Sequence, residues 1–143
     1  MFLNELNKEE AIGFLNLVSI FVKVDNRFTK EEGKILEAYK QELGIFNNDE
    51  CRDYNEIIDT FLKSSNKSKN IAYFELVSLA LADGEYEIHE VDFLEKIAEE
   101  LKIERSKKIA IANYFYKYAD GDKLSNENKD VNLLREEAEK IIG

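Results

Sequence analysis

Apolar residues recur along this chain at spacings of three and four, the period of a helix with one buried face. No segment alternates with period two, so no sheet is expected. Seven helices can be read. The first runs from about Lys8 to Val24, with Asn7 as cap and Glu10 as its capping-box partner. The second opens at Thr29, where Glu32 can reach back. It turns Ile35, Leu36, Tyr39 and Leu43 inward and stops at Gly44. The third buries Tyr54, Ile57, Ile58, Phe61 and Leu62, and the polar stretch Lys63 to Asn70 reads as a linker too short to divide two domains. The fourth, about Ser68 to Ala82, is apolar from Ile71 onward except for Glu75 and Ser78. The fifth, about Ile88 to Leu101, buries Phe93, Leu94, Ile97, Ala98 and Leu101. The sixth, about Glu104 to Ala119, carries the aromatic run Tyr114, Phe115, Tyr116 and Tyr118; the seventh, from about Asn126, buries Val131, Leu134, Ala138, Ile141 and Ile142. Helices one and four are apolar nearly all round, which places them at the centre of the bundle.

Those two central helices belong to a repeat. Asp25 to Ile45 can be laid over Asp83 to Ile103 at a constant offset of 58, with seven of 21 positions identical. Upstream, Leu-Val-Ser occurs at 17–19 and again at 76–78, an offset of 59. The pattern predicts a duplicated hairpin: central helix, short acidic loop, amphipathic helix. The expected architecture is therefore an all-α, seven-helix bundle in one domain over residues 1–143, with a pseudo-symmetric repeat of two helical hairpins (8–45 and 68–103) and C-terminal helices over 104–142.

Composition narrows the chemistry. Thirty acidic residues against 20 Lys and Arg leave a net charge of −10, and 143 residues contain no proline, where average usage would give about seven. Such a charge disfavours nucleic acid and anionic membrane surfaces, and leaves cations and basic protein surfaces as candidates. The single cysteine, Cys51, cannot pair within the chain, which fits a reducing, cytoplasmic compartment. The first fifteen residues lack the basic start of a secretory leader, and Ala11 to Val24 is too short and too interrupted to span a bilayer. There is no phosphate-cradling glycine loop, no HExxH and no GxSxG, and His89 is the one histidine, so an enzyme is not expected and catalytic residues are none.

The repeat places acids at matched positions: Asp25 and Glu32 around the first loop, Asp83 and Glu90 around the second. A third Asp-x6-Glu, Asp120 to Glu127, has flanks that align poorly. Two readings stay open. An aspartate at a helix end supports the turn, and a glutamate in the next first turn caps the helix and complements its dipole. Alternatively the pairs converge, and their oxygens hold a hard divalent cation, Ca²⁺ or Mg²⁺. An EF-hand is excluded: with Gly84 at the invariant glycine, ligand positions 1 and 3 become Leu79 and Leu81.

A buried helix ending in Ala82-Asp83-Gly84, a loop with Tyr86, and Glu90 opening an amphipathic helix together resemble the signature of the tellurite-resistance TerB family. The first loop departs from it, with Asn26 and Arg27 where Gly and Glu are usual. The resemblance implies a small seven-helix, non-enzymatic binding or scaffold domain, linked to tellurite or other stress and to membrane-associated complexes. It implies a metal site, which carries over onto Asp25, Glu32, Asp83 and Glu90. The competing expectation is a protein–protein interaction module whose loop acids are caps, with helix six or the groove between the hairpins holding a partner helix. His89 reads as an exposed residue and Cys51 as non-catalytic. Basic residues gather at Lys63, Lys67 and Lys69, and again at Lys102, Arg105, Lys107 and Lys108, either as solvated faces or as a docking patch for an acidic partner.

Overall fold

The computed structural model describes residues 2–23, 30–44, 52–81, 88–124 and 131–143, with the side chains of 23, 31, 32, 35, 118–124 and 131–134 excepted. Among the described residues all regular structure is helical: a 3₁₀ turn at Leu3–Glu5, then α1 (Lys8–Lys23), α2 (Lys30–Leu43), α3 (Tyr54–Leu62), α4 (Asn66–Ala80), α5 (Ile88–Glu100), α6 (Arg105–Leu124) and α7 (Val131–Ile142). No helix among them is long and apolar enough to cross a membrane.

Local chemistry accounts for several boundaries. At the start of α1 the Asn7 carboxamide oxygen accepts the Glu10 N–H at 2.9 Å, while the Glu10 carboxylate accepts the Asn7 N–H at 2.9 Å, the reciprocal capping box that the sequence predicts. Gly44, at φ +69°, ends α2 as expected, since only glycine takes that conformation freely. The cap proposed at Thr29 lies outside the described residues, as does the side chain of Glu32. The linker read over Lys63 to Asn70 is shorter than expected. The Ser65 hydroxyl accepts the Ser68 N–H at 3.2 Å and starts α4 at Asn66, so most of that polar stretch is the first turns of a helix. Helix six continues through Asp120 and Gly121 to Leu124, because one glycine inside a helix costs only about 1 kcal/mol. The third Asp-x6-Glu thus begins inside α6. The expected start of helix seven at Asn126 lies outside the described residues.

Eleven of the fifteen residues of α4 are buried. Around it pack α1, α3, α5, α6, α7 and the 3₁₀ turn, while α1 in turn packs on α2 and α3. Both predicted central helices are therefore central. Each also touches the helix that follows it. The core between them holds Phe14, Leu17, Ile57, Phe61, Ile71 and Leu76, each buried essentially completely, and each such side chain contributes about 1.5–3 kcal/mol on leaving water. Leu62, predicted inward, is the last residue of α3 and is 37% exposed.

Two polar residues on the central helices tie down the chain around them. The Glu75 carboxylate, buried in α4, accepts the Phe2 N–H at 3.0 Å, and its backbone carbonyl accepts the Tyr39 hydroxyl at 3.2 Å. Burial, and then the Glu75 charge, push the Tyr39 hydroxyl far above its ordinary pKa, so it stays a donor. In α1 the Asn16 carboxamide oxygen accepts the Arg52 N–H at 3.4 Å. The Leu-Val-Ser alignment pairs Asn16 with Glu75, and both hold the backbone of an incoming non-helical segment.

Gly13 lies inside α1, where a methyl group would meet Phe61 Cε2 at 3.5 Å and Ile57 Cγ2 at 3.8 Å, ordinary van der Waals distances. Gly13→Ala therefore gains helix propensity without a clash, and thermal denaturation should show stability raised by about 0.5–1 kcal/mol.

Candidate functional site

Of the four acids proposed as cation ligands, Asp25 and Asp83 lie outside the described residues, as does the side chain of Glu32. Glu90 alone can be placed. It occupies the first turn of α5 and is only 4% exposed, a depth at which a carboxylate needs polar or charged company. Among the described residues no group of three or more His, Cys, Asp or Glu side chains stands ready for a metal ion. His89, beside Glu90, is exposed as expected. Cys51 lies outside the described residues.

The aromatic run of α6 divides between core and surface. Tyr114 is 7% exposed and belongs to the core: its ring stands 5.4 Å from Phe74 and 5.2 Å from Phe115. Phe115 is half-buried against Phe74 at 4.8 Å, and Phe74 meets Phe2 edge-on at 5.6 Å. Tyr116, one residue on, is 76% exposed. The Tyr118 side chain lies outside the described residues.

Beside this aromatic seam runs an apolar cleft of about 300 Å³, lined by Tyr73 and Val77 of α4 and its C-cap Leu81, and by Lys108, Ile111, Ala112, Phe115 and Tyr116 from α6. The α4 residues are spaced by four, and those of α6 by three and four, so each set is one stripe of its helix. Ile109, half exposed, extends the apolar surface along α6. Among the described residues the one charged group lining this cleft is Lys108, which pairs with Glu95 of α5 at 3.3 Å. The sequence hinted at such a surface without locating it. Ile109, Ile111, Ala112, Phe115 and Tyr116 spread over more of α6 than one buried face can use. The sequence pointed to helix six or the groove between the two hairpins as a partner surface; this cleft is lined from α4 and α6.

A second cleft, about 80 Å³, is lined by Asn66, Lys69 and Asn70 of α4, by Lys102, Ile103 and Glu104 at the α5–α6 corner, and by Lys107 of α6. The two basic clusters of the sequence thus meet here through Lys69, Lys102 and Lys107. The Lys107 ammonium donates to the Ile141 carbonyl, and the Asn70 amide donates to the Ile142 carbonyl at 3.0 Å, so both close the C-terminus of α7. Lys69 and Lys102 make no ion pair among the described residues.

The corner itself is a tight helix stop. The Ile103 N–H donates to the Ala98 carbonyl at 2.9 Å, the Lys102 N–H donates to the Glu99 carbonyl at 3.2 Å, and Ile103 is buried over the last turn of α5. This is a Schellman arrangement with lysine, at φ 58°, in the left-handed position that glycine usually fills. Whole-chain comparison finds no matching family model, no matching curated protein and no matching solved structure.

Because an L side chain is disfavoured at that φ, Lys102→Gly should stabilise the fold by about 0.5–1 kcal/mol in chemical denaturation, with an unchanged m value.

Proposed function

We propose that this chain is a non-enzymatic binding module, and that the apolar cleft between α4 and α6 seats the apolar face of a partner's amphipathic helix. The observation that carries the reading is the pairing of two apolar helical stripes along one cleft, with buried Tyr73, Val77 and Ile111 as its floor and exposed Ala112 and Tyr116 on its rim. A groove of that form takes anchors spaced i, i+4 and i+7 from an incoming helix. The basic residues at one end of the cleft favour a partner helix that also carries acids.

Titrating the full chain with a fluorescently labelled, stapled helical peptide bearing a leucine stripe tests this. Binding is expected, and Ala112→Glu, a change at an exposed cleft residue, should weaken it at least about tenfold by setting a charge among apolar contacts. Equal binding by the variant would overturn the reading.

A second reading, in which the chain is TerB-like and holds a divalent cation through Asp25, Glu32, Asp83 and Glu90, is favoured by the depth of Glu90. It carries with it the stress-linked role that the resemblance implies. Saturating Ca²⁺ or Mg²⁺, at about a hundred times the dissociation constant, should stabilise the fold by roughly 2.7 kcal/mol, and so raise Tm on the order of 10 °C. That shift should vanish in a variant combining Asp83→Asn and Glu90→Gln. No shift with either metal, or one undiminished in the variant, counts against the site.

A further inference from the structure

We infer that the partner of the α4–α6 groove carries carboxylates about two helical turns from its apolar anchors, received by Lys69 and Lys102; the inference rests on the groove reading given above. The two clefts lie end to end along one seam. On α4, Asn66, Lys69 and Asn70 continue the stripe of Tyr73 and Val77 that ends at the C-cap Leu81, and Lys107 of α6, with Glu104 just before that helix, continues the stripe of Lys108, Ile111 and Phe115. Both stripes climb their helices in the same direction. At 1.5 Å per residue the surface from Asn66 to Leu81 is roughly 23 Å long, and Lys69 stands about 12 Å from Val77.

Charge fixes what the polar end accepts. Three ammonium groups and one carboxylate line it. Lys107 is engaged by the end of α7, which leaves Lys69 and Lys102 without an ion pair among the described residues. Lys102, Arg105, Lys107 and Lys108 crowd the start of α6, where the helix dipole is already positive, an arrangement that an incoming carboxylate relieves. The Lys102 backbone is locked by the two hydrogen bonds of the α5 stop, so its side chain leaves from a fixed turn. A chain of net charge −10 repels an acidic ligand over much of its surface. Such a ligand is therefore steered to this end of the groove, which sets the direction in which the partner helix lies.

The test uses two stapled helical peptides that share the leucine stripe, one with glutamates in its terminal turn and one with glutamines there, titrated into the full chain. The glutamate peptide is expected to bind about tenfold more tightly at low salt, with the advantage shrinking as salt rises. A chain carrying both Lys69→Gln and Lys102→Gln should bind the two peptides equally, at the affinity the parent chain has for the glutamine peptide. If the parent binds both peptides alike, and Ala112→Glu weakens both, the groove reading stands and the acidic partner is overturned. If neither peptide binds, the groove reading fails and takes this inference with it. Two other occupants would also overturn it. One is phosphatidylserine vesicles that bind the parent but not the double variant, while the peptides ignore the substitutions. The other is self-association of the chain that Ala112→Glu abolishes.

Discussion

A helix with almost no exposed face can exist in water only when other elements enclose it, and α4 sets that condition for the whole fold. Its sequence allows no other place, because Ile71 to Ala80 offers just Glu75 and Ser78 as polar groups. Six elements surround it, and Glu75 turns what would be an unfavourable buried carboxylate into a fastening for the Phe2 backbone. Loss of such a buried hydrogen bond to a charged group costs about 1.5–3 kcal/mol. The arrangement of the remaining helices follows from covering α4, α1 being the other helix with comparable burial among the described side chains.

The features legible in the sequence are those that depend on neighbours a few residues away. Asn7 and Glu10 are three positions apart, and their reciprocal hydrogen bonds are as the capping rule has them. Gly44 stops a helix where a left-handed residue is needed. The apolar character of α1 and α4 announces their central place. Where rules of composition competed with a local hydrogen bond, the hydrogen bond prevailed. Lys63 to Asn70 is polar enough to pass for a linker, yet the Ser65 hydroxyl makes the later part helix. Gly121 resembles a stop and is helix interior.

What the sequence conceals is juxtaposition. The cleft joins Tyr73, Val77 and Leu81 to residues of a helix that begins more than twenty positions later, and no spacing rule links the two sets. The aromatic run of α6 was visible, but its division into a core residue, Tyr114, and a surface residue, Tyr116, depends on where Phe74 stands. The basic clusters were likewise visible as two separate groups. Their meeting depends on the α5–α6 corner, held by a lysine in a glycine's place. For the paired acids the repeat names four residues, and the structure places the side chain of Glu90.

The Phe2–Glu75 hydrogen bond joins residues 73 positions apart. Helical bundles ordinarily assemble from near neighbours and do so quickly. Here the first turn of the chain packs on α2 as well as on α4, but the Phe2 N–H and ring find their partners, Glu75 and Phe74, only on α4. Closing so long a loop is entropically unfavourable and must precede the contacts that compensate it. The turn at Leu3–Glu5 thus works as a clasp between the two halves of the molecule, resting on α2 and pinned through Phe2 to a helix 73 residues further on.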